Sequence, residues 1–304
     1  MSGRRWLATG IAGGALLATA ARAEVPEKAT PESRAQVARA LAGLEPFLQD
    51  PKRGVPRGGP GTIEQVILAY APKRPWAVAE GLLPAPSPRK CPVEMASIDG
   101  RFCVDRYEGS LQVKSAGGEL EAWPHNQIPA ADRVYIARSV AGVLPQGYIS
   151  GAQAESACKQ AGKRLCQPVE WRAACGGSHG YAYPYGPKRI AGTCKDAGTA
   201  PMMRLHADTM KRGWGMEELN DPRNLALPGT VETTGAKTGC VSDQGVYDMV
   251  GNLHEWTADP NGTFQGGYFL DTAEHGDGCA YRTIAHGFTY HDYSTGFRCC
   301  RDPE

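Results

Sequence analysis

Sulfur is the most prominent reactive element of this chain. Ten cysteines occur, at Cys91, Cys103, Cys158, Cys166, Cys175, Cys194, Cys240, Cys279, Cys299 and Cys300. An even number of widely spread cysteines fits five disulfides in an oxidising compartment. No C-x-x-C pair is present to start a tetrahedral zinc site. His286, His291 and Asp292, with His254 and Glu255, could assemble a two-histidine, one-carboxylate iron site. Scattered histidines without helical or strand spacing more readily read as loop residues that bond backbone or face solvent. Gly176-Gly-Ser178-His-Gly180 matches the G-x-S-x-G string of serine hydrolases. That nucleophile elbow needs a strand before it and a helix after it, whereas here a helix is expected before and a loop after. Tyr181, Tyr183, Tyr185, Tyr247, Tyr290 and Tyr293, with Trp256, could floor a groove for a carbohydrate or peptide. For most of these rings, and for Trp171 and Trp256 above all, core packing is the simpler reading. Arg164 and Arg298 read as donors to buried loop carbonyls.

The elements that must position these groups are sparse. Phe102 to Glu108 alternates as a strand does. Ser150 and Gln153 form a capping box for a helix to about Gln160, and Gly162 ends it. Pro168 opens a second short helix, Val169 to Cys175. From Gly176 to Gly239 glycine and proline interrupt every period, which predicts long ordered loops needing cross-links or ions to offset their entropy.

Residues 1–23 read as a secretory signal peptide: Arg4 and Arg5, an apolar run from Ile11 to Ala21, then Ala21-Arg22-Ala23. Ser2-Gly3-Arg4-Arg5-Trp6-Leu7 hints at the twin-arginine type. The expected location is therefore periplasmic or secreted, with no integral membrane segment after signal removal. Loss of three arginines takes the formal charge from +1 to −2, which excludes an electrostatic case for nucleic acid. Residues 24–90 read as a helical extension and Pro-rich linker. Thr30-Pro31 starts one helix (Val37, Leu41, Leu44, Leu48), Thr62 with Gln65 starts another through Ala71, and Leu83 to Pro88 separates them from a main domain at 91–304.

The main domain resembles a known family. Ala157-Cys-Lys-Gln-Ala-Gly-Lys-Arg-Leu165 with Glu170-Trp171, Tyr183-Pro-Tyr-Gly186, Gly251-Asn-Leu-His-Glu255, Gly266-Gly267 and Gly296-Phe-Arg-Cys299 are similar to motifs of the formylglycine-generating enzymes, or sulfatase-modifying factors. The resemblance implies an α+β, C-type-lectin-like FGE-sulfatase fold with little regular secondary structure, disulfide-rich, plus the small N-terminal helical extension. It also implies a cysteine pairing of Cys158 with Cys299 and Cys175 with Cys279. Cys166–Cys300, Cys194–Cys240 and Cys91–Cys103 complete that pattern.

Active oxidases of this family hold copper(I) on the first two thiolates of a Cys-x4-Cys-x4-Cys array. With Cys279 as the third, Phe269 and Glu274 stand at the other two positions, so the resemblance implies no copper site. The GN-x-x-E corner matches the family's calcium-holding corner, with Asn252, Leu253 and Glu255 as ligands. The alternative is a hydrogen-bonded turn in which Glu255 simply caps. The family's other calcium asparagine falls on Cys194 or Lys195. The expectation is an exported, non-copper binding or accessory module for a peptide, glycan or envelope protein. The alternative is a periplasmic oxidoreductase of the superfamily, non-copper or iron-dependent, with Glu274, His286 and His291 as catalytic candidates.

Overall fold

The computed structural model describes residues 83–115 and 117–304. The expected signal peptide and the helices before Leu83 lie outside the described residues. Among those described, three small sheets, five short α-helices and two 3-10 helices are joined by long turns. β1 (Met95–Ile98) pairs with β2 (Phe102–Asp105), and β3 (Gly109–Lys114) lies between β4 (Leu120–Ala122) and β5 (Tyr135–Ser139). β2 also receives β11 (Cys299–Arg301), which pairs on its other side with β6 (Arg164–Leu165). The third sheet runs β10 (Thr295–Phe297), β7 (His254–Trp256), β8 (Phe264–Gln265), β9 (Arg282–Thr283), with β10 and β7 parallel.

α1 (Gly151–Gln160) begins where the sequence places it. Ser150 Oγ accepts from Gln153 N, and Gln153 Oε1 accepts from Ser150 N at 3.0 Å, closing a capping box. It ends in a Schellman turn: Lys163 N donates to Cys158 O, Gly162 N donates to Lys159 O, and Gly162 has φ +68°. α2 (Pro168–Gly176) carries Pro168 in its first turn, and Glu170 accepts from Gln167 N at 2.8 Å. α2 is buried along its whole length, so its sequence carries no amphipathic stripe.

Three expectations change in detail. β2 is buried on every residue rather than alternating: it lies inside its sheet between β1 and β11, and both of its faces are covered. The 176–239 stretch holds three one-turn helices, α3 (Pro201–Leu205), α4 (Met216–Leu219) and α5 (Arg223–Ala226), too short to show a period. The Leu83–Pro88 segment, expected as a separating linker, lies on the domain: Leu83 is buried, Arg101 donates to Pro84 O, and Ser87 N donates to Gly100 O.

Covalent cross-links tie these elements. Cys158–Cys299 fastens α1 to β11, Cys166–Cys300 fastens the start of α2 to the same strand, and Cys175–Cys279 fastens the end of α2 to a distant loop. Cys194–Cys240 closes the long loop region and Cys91–Cys103 closes the first hairpin. No cysteine is free. Each such bridge contributes about 2–4 kcal/mol in a chain-entropy account, which offsets the small size of the sheets.

Candidate functional site

The corner at Gly251-Asn252 organises the centre of the domain. Both residues have positive φ (+82° and +56°), and a side chain on Gly251 would meet Lys195 O at 2.2 Å. From this turn β7 launches Glu255 inward and His254 to the opposite face. Glu255 accepts from Arg298 Nε and Nη2, each at 2.6 Å, and from Trp171 Nε1 at 2.6 Å. Arg298 also donates to Asp105 O and Tyr247 O. Asn252 Oδ1 accepts from Glu232 N, while its Nδ2 donates to Glu108 Oε2 at 2.6 Å. Burial, with Asp248 and Glu255 nearby, pushes the Glu108 carboxyl well up.

This arrangement does not fit the calcium site expected from Asn252, Leu253 and Glu255. The Glu255 carboxylate is held by a guanidinium, Asn252 turns its amide nitrogen to Glu108, and Leu253 N donates to Glu108 Oε1. A cation here would need Arg298 displaced. Lys195 donates to Gly229 O and lies 3.4 Å from Glu232, and Cys194 is in a disulfide, so neither offers a cation ligand.

On the other face of the third sheet lies a cleft of about 240 Å³. His254 from β7, Phe264 from β8 and Thr283 from β9 form its floor, and the loop from Gly266 to Tyr281 forms one wall. That loop is pinned by fully buried Phe269 and by the Cys175–Cys279 bridge. Asp271 shapes it: its carboxylate accepts from Ala273 N, Glu274 N and Tyr281 Oη, and although burial alone would raise the carboxyl, these bonds hold it below the usual range. Asp292, Tyr293 and Ser294 close the far side. His254 stacks among Phe264, Tyr268 and Tyr281 at centroid distances of 4.7, 4.9 and 5.5 Å. Burial pushes its imidazole down to about 3, so it is neutral, and its Nδ1 has no hydrogen-bond partner among the described residues.

The catalytic candidates divide. Glu274 and His286 line the cleft; His291 does not, and its Nδ1 faces Asn220 Oδ1 at 2.7 Å. Of the iron set, His254, His286 and Asp292 share the cleft, while Glu255 points to Arg298. Among the described residues no three His, Cys, Asp or Glu side chains are grouped as metal ligands. Ser178 follows a helix and bonds to the Asp243 carboxylate; His179 stacks on Tyr181 instead. Of the tyrosines proposed to floor a groove, Tyr293 alone lines this one. Tyr183 stacks on Tyr185, Tyr247 on Tyr107, and Tyr290 on His286. Trp171 and Trp256 are core. Arg164 forks onto Glu170 as well as reaching a carbonyl. Tyr268, Asp271 and Tyr281 went unread because they sit in an aperiodic loop; the Gly266-Gly267 pair preceding them was the available signal.

The chain belongs to the sulfatase-modifying factor enzyme 1-like domain family, whose model matches residues 117–303. Its α+β, disulfide-rich architecture is the C-type-lectin-like fold of that family. Among solved structures it is similar to the U1 variant of a major tropism determinant, at 17% identity over 71% of this chain and 54% of that one (TM-score 0.40). It therefore spans about half the length of that neighbour. CarF is similar at 14% identity over 80% and 82% of the two chains (TM-score 0.37), and Treponema denticola variable protein 1 at 12% over 76% and 81% (TM-score 0.30). No curated protein matches.

Proposed function

We propose that this protein is an exported binding or accessory module of the sulfatase-modifying-factor family that holds a peptide, glycan or envelope-protein ligand in the His254–Tyr281 cleft, without copper. The observation that carries this reading is the fate of the two positions aligned with the copper thiolates. Phe269 is buried beneath the cleft wall and Glu274 lines the cleft, while all ten cysteine sulfurs are in disulfides. Soft-metal chemistry has no ligand there, yet the cavity remains and is walled by aromatic rings. Export is supported by five disulfides and the N-terminal signal pattern.

A second reading, an oxidoreductase of the same superfamily, draws support from neutral His254 with Glu274 and His286 on the same cleft. One experiment separates the two. Peptide and glycan panels are presented to the wild-type protein and to Thr283→Trp, which fills the cleft, while oxygen uptake is followed with thiol-containing peptides. The binding reading expects ligand capture by the wild type alone and no turnover. Capture retained by Thr283→Trp, or oxygen consumption that depends on the cleft, would overturn it.

A further inference from the structure

We infer that the cleft is selective for an organic cation, a primary ammonium or guanidinium group such as a lysine or arginine side chain carries. The inference rests on the binding reading above and adds the chemical class of the ligand. Three carboxylates, Asp271, Glu274 and Asp292, face the cleft together with His275 and His286, and among the described residues neither lysine nor arginine lines it. Some of the cleft's donors are already engaged. Tyr281 Oη donates to Asp271 at 2.8 Å, and Ser294 Oγ and N donate to Asp292. The Asp292 carboxylate also receives Tyr290 Oη at 2.6 Å.

What remains is acceptor capacity. A carboxylate has about four lone-pair sites across its two oxygens, so Asp271 and Asp292 can still accept. The Glu274 side chain is exposed on the rim. His254, 6% exposed, has a buried Nδ1 with no hydrogen-bond partner among the described residues. With its proton on Nε2 that nitrogen accepts. Carboxylates with spare acceptor capacity suit a ligand that brings only N–H groups, as ammonium and guanidinium do. The rings of Tyr268, Tyr281 and Phe264 around His254 supply faces that attract a cation. A carboxylate or phosphate would meet three like charges, and a neutral sugar would leave the carboxylates without compensation.

The test uses the full-length exported protein. Binding of N-acetyl-lysine methylamide, N-acetyl-arginine methylamide and butylamine is measured by calorimetry or NMR. The neutral matches are the norleucine and citrulline methylamides, and a panel of neutral sugars is run beside them. The two peptide-like cations should bind at least about ten-fold more tightly than their neutral isosteres, and more weakly as salt rises. Butylamine binding as tightly as the lysine derivative would place recognition in the amine alone; weaker binding would assign it to a peptide. Glu274→Gln should weaken the cations about ten-fold, whereas Glu121→Gln on exposed β4 should not. Because Glu274 is exposed, its variant tests recognition without risking the core. Neutral isosteres or sugars binding as well as cations, and lost in Thr283→Trp, would overturn cation selectivity and leave the binding module standing. No probe of any class binding the wild-type protein would overturn both.

Discussion

Replacing Arg298 by methionine should be among the most damaging single changes available to this domain. The guanidinium is fully buried and forks onto Glu255, itself 1% exposed, through two bonds of 2.6 Å. It further donates to Asp105 O at 3.0 Å and Tyr247 O at 2.8 Å, joining β2, β7 and the loop before the glycine–asparagine corner. Methionine fills much of the volume but leaves Glu255 with Trp171 Nε1 as its remaining donor. Breaking one side of a buried pair costs about 3–5 kcal/mol, because the partner charge stays in the dark. That is a large share of the roughly 5–15 kcal/mol that holds an ordinary domain together. Urea unfolding with disulfides intact measures it. The double variant Arg298→Met/Glu255→Met should recover most of the loss, to within about 2 kcal/mol of wild type, since both charges are then gone. The same curves recorded with a calcium chelator should overlay. A loss below about 1 kcal/mol for Arg298→Met, or no recovery in the double variant, would refute this reasoning. Chelator sensitivity abolished by Glu255→Gln would restore the calcium reading of the corner.

Three further outcomes follow from the same geometry. Burial, as the leading cause, pushes the Asp248 carboxyl up to about 6 from an unfolded value of 3.8. The folded state therefore holds a proton that the unfolded state has lost between those values, and this group's contribution to stability falls as pH rises from about 4 to about 6. Asp248→Asn can keep an acceptor for Gly235 N and should gain on the order of 1–3 kcal/mol at pH 7 and nothing near pH 3; urea midpoints showing no pH-dependent difference would contradict it. The His254 ring nitrogens should show no titration by NMR between pH 5 and 8, and an inflection near 6.5 would mean the ring is wetter than described. Gly267 has φ +72°, and a β-carbon there would lie 2.2 Å from Asp271 O. Gly267→Ala should therefore cost more than about 2 kcal/mol and deform the cleft wall, and a thermal scan showing an unchanged midpoint would argue otherwise.

Legibility of the fold depended on whether local chemistry or distant contact decides each element. Ser150, Gln153 and Gly162 delimit α1 because caps act within a turn of the chain, and Pro168 marks α2 for the same reason. α3, α4 and α5 stay hidden because one turn of helix cannot display a period. β6, β8 and β9 are two-residue strands, defined by partners far away in sequence rather than by their own residues. Glu274 and His286 were legible as candidates, but the cleft itself was not. Tyr268, Asp271 and Tyr281 converge on His254 only through the bend at Gly267 and the anchoring of Phe269 and Cys279. The Asn252–Glu255 corner shows the opposite limit. Its spacing suits a hard cation, yet Arg298, forty-three residues from Glu255, arrives to occupy the carboxylate.

The central claim is that the cleft operates without thiol chemistry because every cysteine sulfur is bonded to another. Peptide mapping of the non-reduced protein by mass spectrometry, after purification under alkylating conditions, tests it directly. Five linked pairs and no alkylated cysteine are predicted, with Cys279 recovered bound to Cys175. Recovery of two alkylated cysteines that border the cleft would contradict the account and reopen metal-thiolate catalysis.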